Sequence, residues 1–106
     1  MTAARGTLTL ELLYFDGCPN HEQLLPSVEQ LAAQSGATLR LRRIENLEAA
    51  ERERFLGSPT VRVNGVDVDP TAATRSDFGL KCRIYRTEAG TSPLPPECWI
   101  RVALTP

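Results

Sequence analysis

The chain has 106 residues, 12 basic and 13 acidic, so its formal charge is -1 with a sequence pI near 5.8. That length suits one domain with a real core and is too short to divide into two, and the near-cancelled charge provides no global field to recruit nucleic acid or an anionic membrane. MTAARGT at the start lacks the apolar run of a signal peptide, and no stretch approaches the roughly 20 apolar residues that span a bilayer, so the expectation is a single cytoplasmic domain over 1–106.

LTLELLYF at 8–15 is a run of strand formers that stops at Asp16-Gly17, and its unbroken apolar stretch from Leu12 to Phe15 predicts a central strand covered on both faces. Across 20–35, Leu24, Leu25, Val28, Leu31 and Ala32 recur at helical spacing and draw one apolar stripe, which Gly36 ends. ATLRLRRI at 37–44 alternates Leu39 and Leu41 with Arg40 and Arg42, the period of a half-covered strand whose arginines face solvent. Asn46 caps a second helix, rich in Glu, Ala and Arg, that runs to about Leu56 before Gly57. TVRVNGVDVD then sets alternating valines on either side of Asn64-Gly65, the dipeptide of a tight type I′ turn, and predicts an antiparallel hairpin. The segment 70–94 has no sustained pattern apart from the short run Leu80 to Tyr85 and reads as an insertion. Pro95-Pro96 opens a last helix carrying Trp99, Ile100, Ala103 and Leu104. The order β-α-β-α-β-β-α, with a right-handed crossover joining the first two strands, is a sheet covered by helices.

Three cysteines, at 18, 82 and 98, do not make the evenly paired framework of a small secreted scaffold, so any disulfide is expected to be transient rather than structural. Cys18 follows the first strand in LLYFDGCPNH, at the first turn of the first helix. Unpaired N–H groups and the helix dipole favour a thiolate there. Pro19 fits the first helical position because the N–H it lacks would have had no partner, while Asp16 opposes the thiolate if its carboxylate faces the sulfur. His21 either gives Cys18 a hydrogen bond or a charge, or sits on the helix surface with no role. The competing reading of Cys18 is a small buried hydrophobe at a strand end. Its turn position argues for exposure and makes it the expected most reactive thiol.

Cys18-Pro19 between strand and helix, Pro26 eight residues beyond the cysteine, and Gly57-Ser58-Pro59-Thr60 opening the third strand together resemble the thioredoxin superfamily, over about residues 7–69 and the final helix. The YFDGCPN opening and the GSPT segment are also similar to a small bacterial group of single-cysteine, thioredoxin-like proteins, some of them labelled alkylmercury lyases. The resemblance implies an α/β, thioredoxin-like fold: a central mixed four-stranded sheet flanked by helices, with 70–94 inserted before the last helix. It also implies a cis bond before Pro59, with the ring against Cys18, and a Ser58 backbone free to pair with an extended substrate. Pro19, Asn20, His21, Ser58 and Pro59 are then the substrate-contacting residues. A plain helix-stop and strand-start proline is the alternative for Pro59. His21 stands where thioredoxins carry a second cysteine, so CPNH cannot close a CxxC disulfide.

In that topology the third strand runs antiparallel to the first, placing Pro59 at the Cys18 edge, and the fourth returns to the same edge at Asp69-Pro70. FGLKCRIY would then fold over the site and bring Cys82 to Cys18 as a resolving thiol for a mixed disulfide or sulfenic acid. Alternation offers the other reading, in which Cys82 packs with Leu80 and Ile84 on one strand face. Cys98, four residues before Val102, reads as packing, and Asp67 and Asp69 as solvated strand-end carboxylates. One histidine and three scattered cysteines show no zinc-like spacing, no glycine loop cradles a phosphate, and no basic patch interleaves with aromatics. No metal, cofactor or nucleic-acid partner is therefore expected. The function read from the sequence is a thiol-dependent redox protein whose Cys18 attacks a disulfide or another soft electrophile, with protein or small-molecule thiols and disulfides as partners. Two alternatives stand beside it: a non-catalytic module in which Cys18 and Cys82 hold a thiol or a soft cation such as Hg(II), and a degenerate thioredoxin-fold interaction domain. Substrate, reductant and oligomeric state have no signature in the sequence.

Overall fold

A computed structural model describes residues 8–105. Its central strand, β1 (Thr9–Tyr14), lies between β2 (Thr38–Arg43), to which it is parallel, and β3 (Thr60–Val63), to which it is antiparallel; β4 (Val66–Asp67) completes a mixed four-stranded sheet of order β2-β1-β3-β4. Leu10, Leu12 and Leu13 of β1 are wholly buried, as the unbroken apolar run requires of a strand covered on both faces. Because side chains alternate along a strand, the two faces build two clusters. Leu10 and Leu12 pack with Leu24, Val28 and Leu31 of α1 (Asn20–Ser35) and with Ile100 and Leu104 of α3 (Glu97–Leu104). Leu13 points the other way, to Ile44, Ala50 and Phe55 around α2 (Leu47–Arg52). The protein is thus a compact α/β domain with helices on its sheet.

α2 ends at Arg52 instead of reaching Leu56. Asn46 caps its start by accepting the Ala49 N–H at 2.8 Å. At the other end Arg54 turns left-handed at φ 57°, and the Phe55 N–H closes back onto the Ala50 carbonyl at 2.8 Å, a Schellman-type stop that drops Phe55 and Leu56 into the core. The β3–β4 turn has positive φ at both Asn64 (52°) and Gly65 (85°), as a type I′ turn demands. The arginines of β2 are not simply solvated: Arg42 pairs with Glu11 at 3.4 Å and Glu53 at 3.0 Å, and Glu11 is itself buried.

The segment 70–94 carries more order than its sequence suggests. It contains a short 3-10 turn (Ala72–Thr74) and a separate hairpin of β5 (Tyr85–Thr87) and β6 (Gly90–Ser92). That hairpin lacks apolar alternation because Tyr85 alone of its strand residues is buried, so there was no period to read. On α3, Cys98 and Val102 do share a side, but it faces solvent, with Val102 73% exposed. The expected packing role for Cys98 is therefore corrected: Ile100 and Leu104 hold the helix down.

Candidate functional site

After β1 the chain turns through Asp16-Gly17, and the Cys18 N–H bonds the Phe15 carbonyl at 3.3 Å. Cys18 is joined by a disulfide to Cys82, 64 positions away, with a Cα–Cα separation of 5.6 Å, within the range an ordinary disulfide spans. Two backbone hydrogen bonds bring Cys82 there. The Ser58 N–H donates to the Lys81 carbonyl at 2.8 Å, and the Arg83 N–H donates to the Ser58 carbonyl at 2.9 Å, so the residues on either side of Cys82 grip Ser58. The Ser58-Pro59 peptide bond is cis, and both residues are buried. Gly57 makes the approach possible. Its φ is +123°, and a Cβ there would lie 2.9 Å from the Lys81 carbonyl oxygen and 3.0 Å from Arg83 Cβ.

Next to Cys82, Arg83 is only 1% exposed. Its guanidinium donates to Thr60 Oγ1 at 2.9 Å, to both Asp67 carboxylate oxygens at 2.8 and 3.1 Å, and to Asp69 Oδ2 at 3.3 Å. It also lies 4.5 Å from the centre of the Tyr85 ring, whose hydroxyl donates to the Pro59 carbonyl at 2.5 Å. Burial would lower the Arg83 pKa, but the Asp67 hydrogen bond and the surrounding charges outweigh it and raise the pKa. Burial likewise pushes the Asp69 carboxyl up, yet the Thr71 N–H and hydroxyl, together with Arg83, bring it below the ordinary carboxylate range. The Tyr85 phenol, held in the core, is pushed far above its usual value by burial. Ser58 Oγ and Arg83 Nε are buried without a hydrogen-bond partner among the described residues.

Asp67 and Asp69 are therefore not solvated turn carboxylates; they are the counter-charges of a buried arginine. Neither Arg83 nor Tyr85 stood out in the sequence. The available signal was the pair of carboxylates two residues apart and the alternation of Arg83 and Tyr85 opposite Leu80, Cys82 and Ile84, but alternation does not say which face is buried. Here the face with Arg83 and Tyr85 is buried, and Leu80, Cys82 and Ile84 are exposed. The reading of Cys82 as a residue packed with Leu80 and Ile84 is overturned.

Cys18 is the opposite of what its turn position suggested: it is 0% exposed, with its sulfur bonded to Cys82. Its sulfur lies 3.7 Å from the Ser58 carbonyl oxygen, which would accept the thiol proton on reduction. Asp16 does not face that sulfur; its carboxylate takes a 2.7 Å ion pair with Arg43. His21 turns Nδ1 to the Cys18 carbonyl oxygen at 3.3 Å and stacks on Tyr14 with ring centres 4.0 Å apart, so its polar contact is with the backbone and not the sulfur. Pro19 sits one position earlier than expected, as the exposed N-cap residue of α1. Asn20 lines a small depression that also touches Cys82, Ser92 and Pro93. Ser58 has no free backbone edge, because Lys81 and Arg83 occupy both its N–H and its carbonyl; the docking role implied for it is filled by the chain itself. Among the described residues no three His, Cys, Asp or Glu side chains gather as a metal site, and no helix is long and apolar enough to cross a membrane. The chain matches no protein-family model, no curated protein and no solved structure.

Proposed function

We propose that this chain is a thioredoxin-like thiol–disulfide redox protein that cycles between the Cys18–Cys82 disulfide and the dithiol. The observation that carries the reading is that Cys82 is held beside Cys18 by contacts other than the disulfide: the two Ser58 backbone bonds and the buried Arg83 cluster. Here the anchoring contacts do not include the S–S bond, so on reduction they would keep the two thiols neighbours and let the bond re-form without a search. The strand order, the Cys18-Pro19 turn and the Ser58-Pro59 start of β3 support the thioredoxin-like class.

The exchange conserves electrons. One thiolate of the reduced pair attacks a substrate disulfide and expels a substrate thiolate; the second attacks the resulting mixed disulfide, expels the other substrate thiolate and restores the Cys18–Cys82 bond. Two electrons pass to the substrate. Protein or small-molecule disulfides are the oxidants and thiols the reductants.

The test is a titration in thiol–disulfide buffers of graded potential, with free thiols alkylated and mapped by mass spectrometry. The expected midpoint lies above about -300 mV, with far-UV circular dichroism unchanged in the reduced protein. A midpoint below about -300 mV, or unfolding on reduction, would make the disulfide structural and end the redox assignment.

A further inference from the structure

The two sulfurs of the pair are not equivalent, and the difference is opposite to the one the sequence suggests. Cys18 is 0% exposed, whereas Cys82 lies on the exposed face of its segment. A depression of about 410 Å³ opens beside Cys82, and Arg75, Lys81, Arg83 and Arg86 line it against a single lining carboxylate, Asp69. In the buried cluster Arg83 faces two carboxylates, Asp67 and Asp69, so the cluster itself carries one net negative charge. The accessible rim is left with Arg75, Lys81 and Arg86, opposed by Asp77, which bonds both Arg75 and Lys81. Arg86, exposed on β5, makes no ion pair among the described residues.

Resting on the redox reading above, we propose that Cys82 is the sulfur that exchanges with incoming thiols, and that the site beside it is built for a small anionic thiol, one bearing a carboxylate or a similar group. The incoming thiolate attacks Cys82 Sγ, the Cys18–Cys82 bond breaks, and Cys18 leaves as a thiolate carrying the electron pair. The N-terminal end of α1 favours negative charge at that position. A second thiolate of the same class then attacks the external sulfur of the mixed disulfide. It forms the small-molecule disulfide and releases Cys82 as a thiolate, so two thiols supply the two electrons. The cations of the rim attract the anion of the thiol, while Cys18 takes no part in the encounter.

The experiment reduces the oxidised full-length protein with three thiols of similar size: mercaptoethanesulfonate (anionic), mercaptoethanol (neutral) and cysteamine (cationic). Rates are read by acid quench and alkylation and normalised to thiolate concentration. The expected order is anionic, neutral, cationic, with roughly a tenfold span at low salt that closes as ionic strength rises. Arg86→Ser should narrow the ratio of anionic to neutral rates. In parallel, Cys18→Ser and Cys82→Ser are challenged with the disulfide of mercaptoethanesulfonate, and the adduct should form at least about tenfold faster on Cys82 than on Cys18, as the burial of Cys18 requires. Equal or reversed charge order, or an adduct on Cys18 that forms as fast, overturns this proposal while leaving a reducible pair in place. Failure of all three thiols to reduce the folded protein would remove the redox reading itself.

Discussion

Replacing Arg83 with Met tests whether the buried cluster holds the Cys82 segment. The substitution keeps a long apolar side chain over Tyr85 but removes four hydrogen bonds to Thr60, Asp67 and Asp69. Asp69, 5% exposed, would be left with Thr71 as its partner in place of a cation. Breaking a buried pair in this way costs about 3–5 kcal/mol, a large share of the roughly 5–15 kcal/mol that a domain of this size has in total. With urea slopes of about 1–3 kcal/mol per molar, the midpoint should fall by at least about 1 M. Measured on oxidised protein, the cross-link constrains the unfolded chain equally in every variant, so the comparison reports the native cluster. Adding Asp67→Asn and Asp69→Asn to Arg83→Met should recover much of the loss, because the penalty comes from unpaired carboxylates and not from the missing guanidinium. A loss under about 1 kcal/mol for the single variant, or a triple variant no more stable than the single, would refute the argument.

Asp69 makes stability depend on acid. Its folded pKa lies below the unfolded value of about 3.9, so its contribution is fully present above the ordinary carboxylate range and is lost as pH falls through the folded value; urea midpoints should fall below about pH 4 in the parent by more than in Asp69→Asn, and parallel curves would contradict this. Gly57→Ala places a methyl 2.9 Å from the Lys81 carbonyl at a backbone φ of +123°. It should cost about 1–3 kcal/mol in strain alone and slow re-formation of the disulfide after reduction, whereas an unchanged reoxidation rate would show that the close approach does not position Cys82.

Much of the fold was legible because it rests on periodic burial. The run through Leu12 and Leu13 marked the central strand, the Leu24, Val28 and Leu31 stripe marked α1, and Asn64-Gly65 marked the hairpin. α2 is shorter than its sequence pattern because its stop is made by Arg54, a residue with no intrinsic preference for a left-handed turn, under the pull of Phe55 into the core. The site was legible only in part. Cys18 could be named because it starts the first helix, Cys82 because strand order returns the chain to that sheet edge, and Ser58 only because the GSPT segment resembles the thioredoxin superfamily. Their exposure could not, because it depends on which face of 80–85 meets the domain. That choice is made by Arg83, and a buried arginine looks like any surface arginine until its carboxylate partners are in place.

The contacts that bring Cys82 to Cys18 also hold it against that buried sulfur, and this couples access to regeneration. For a partner to reach Cys18 directly, residues 81–83 must leave Ser58, breaking both backbone bonds and exposing the Arg83 cluster. The two backbone bonds alone, at about 0.5–1.5 kcal/mol each net, oppose that opening by about 1–3 kcal/mol, so the open form is disfavoured roughly fivefold to a hundredfold, at tenfold for each 1.4 kcal/mol. Attack at Cys82 needs no opening, because that residue is already at the surface. The same anchor that slows direct attack on Cys18 keeps its thiol next to Cys82 once the bond is cut, so the closed geometry favours exchange at one sulfur and rapid resolution by the other. Loosening the anchor should therefore raise the reactivity of Cys18 and lower the rate of disulfide re-formation together, and a variant that changed one without the other would separate two properties that this geometry ties to the same contacts.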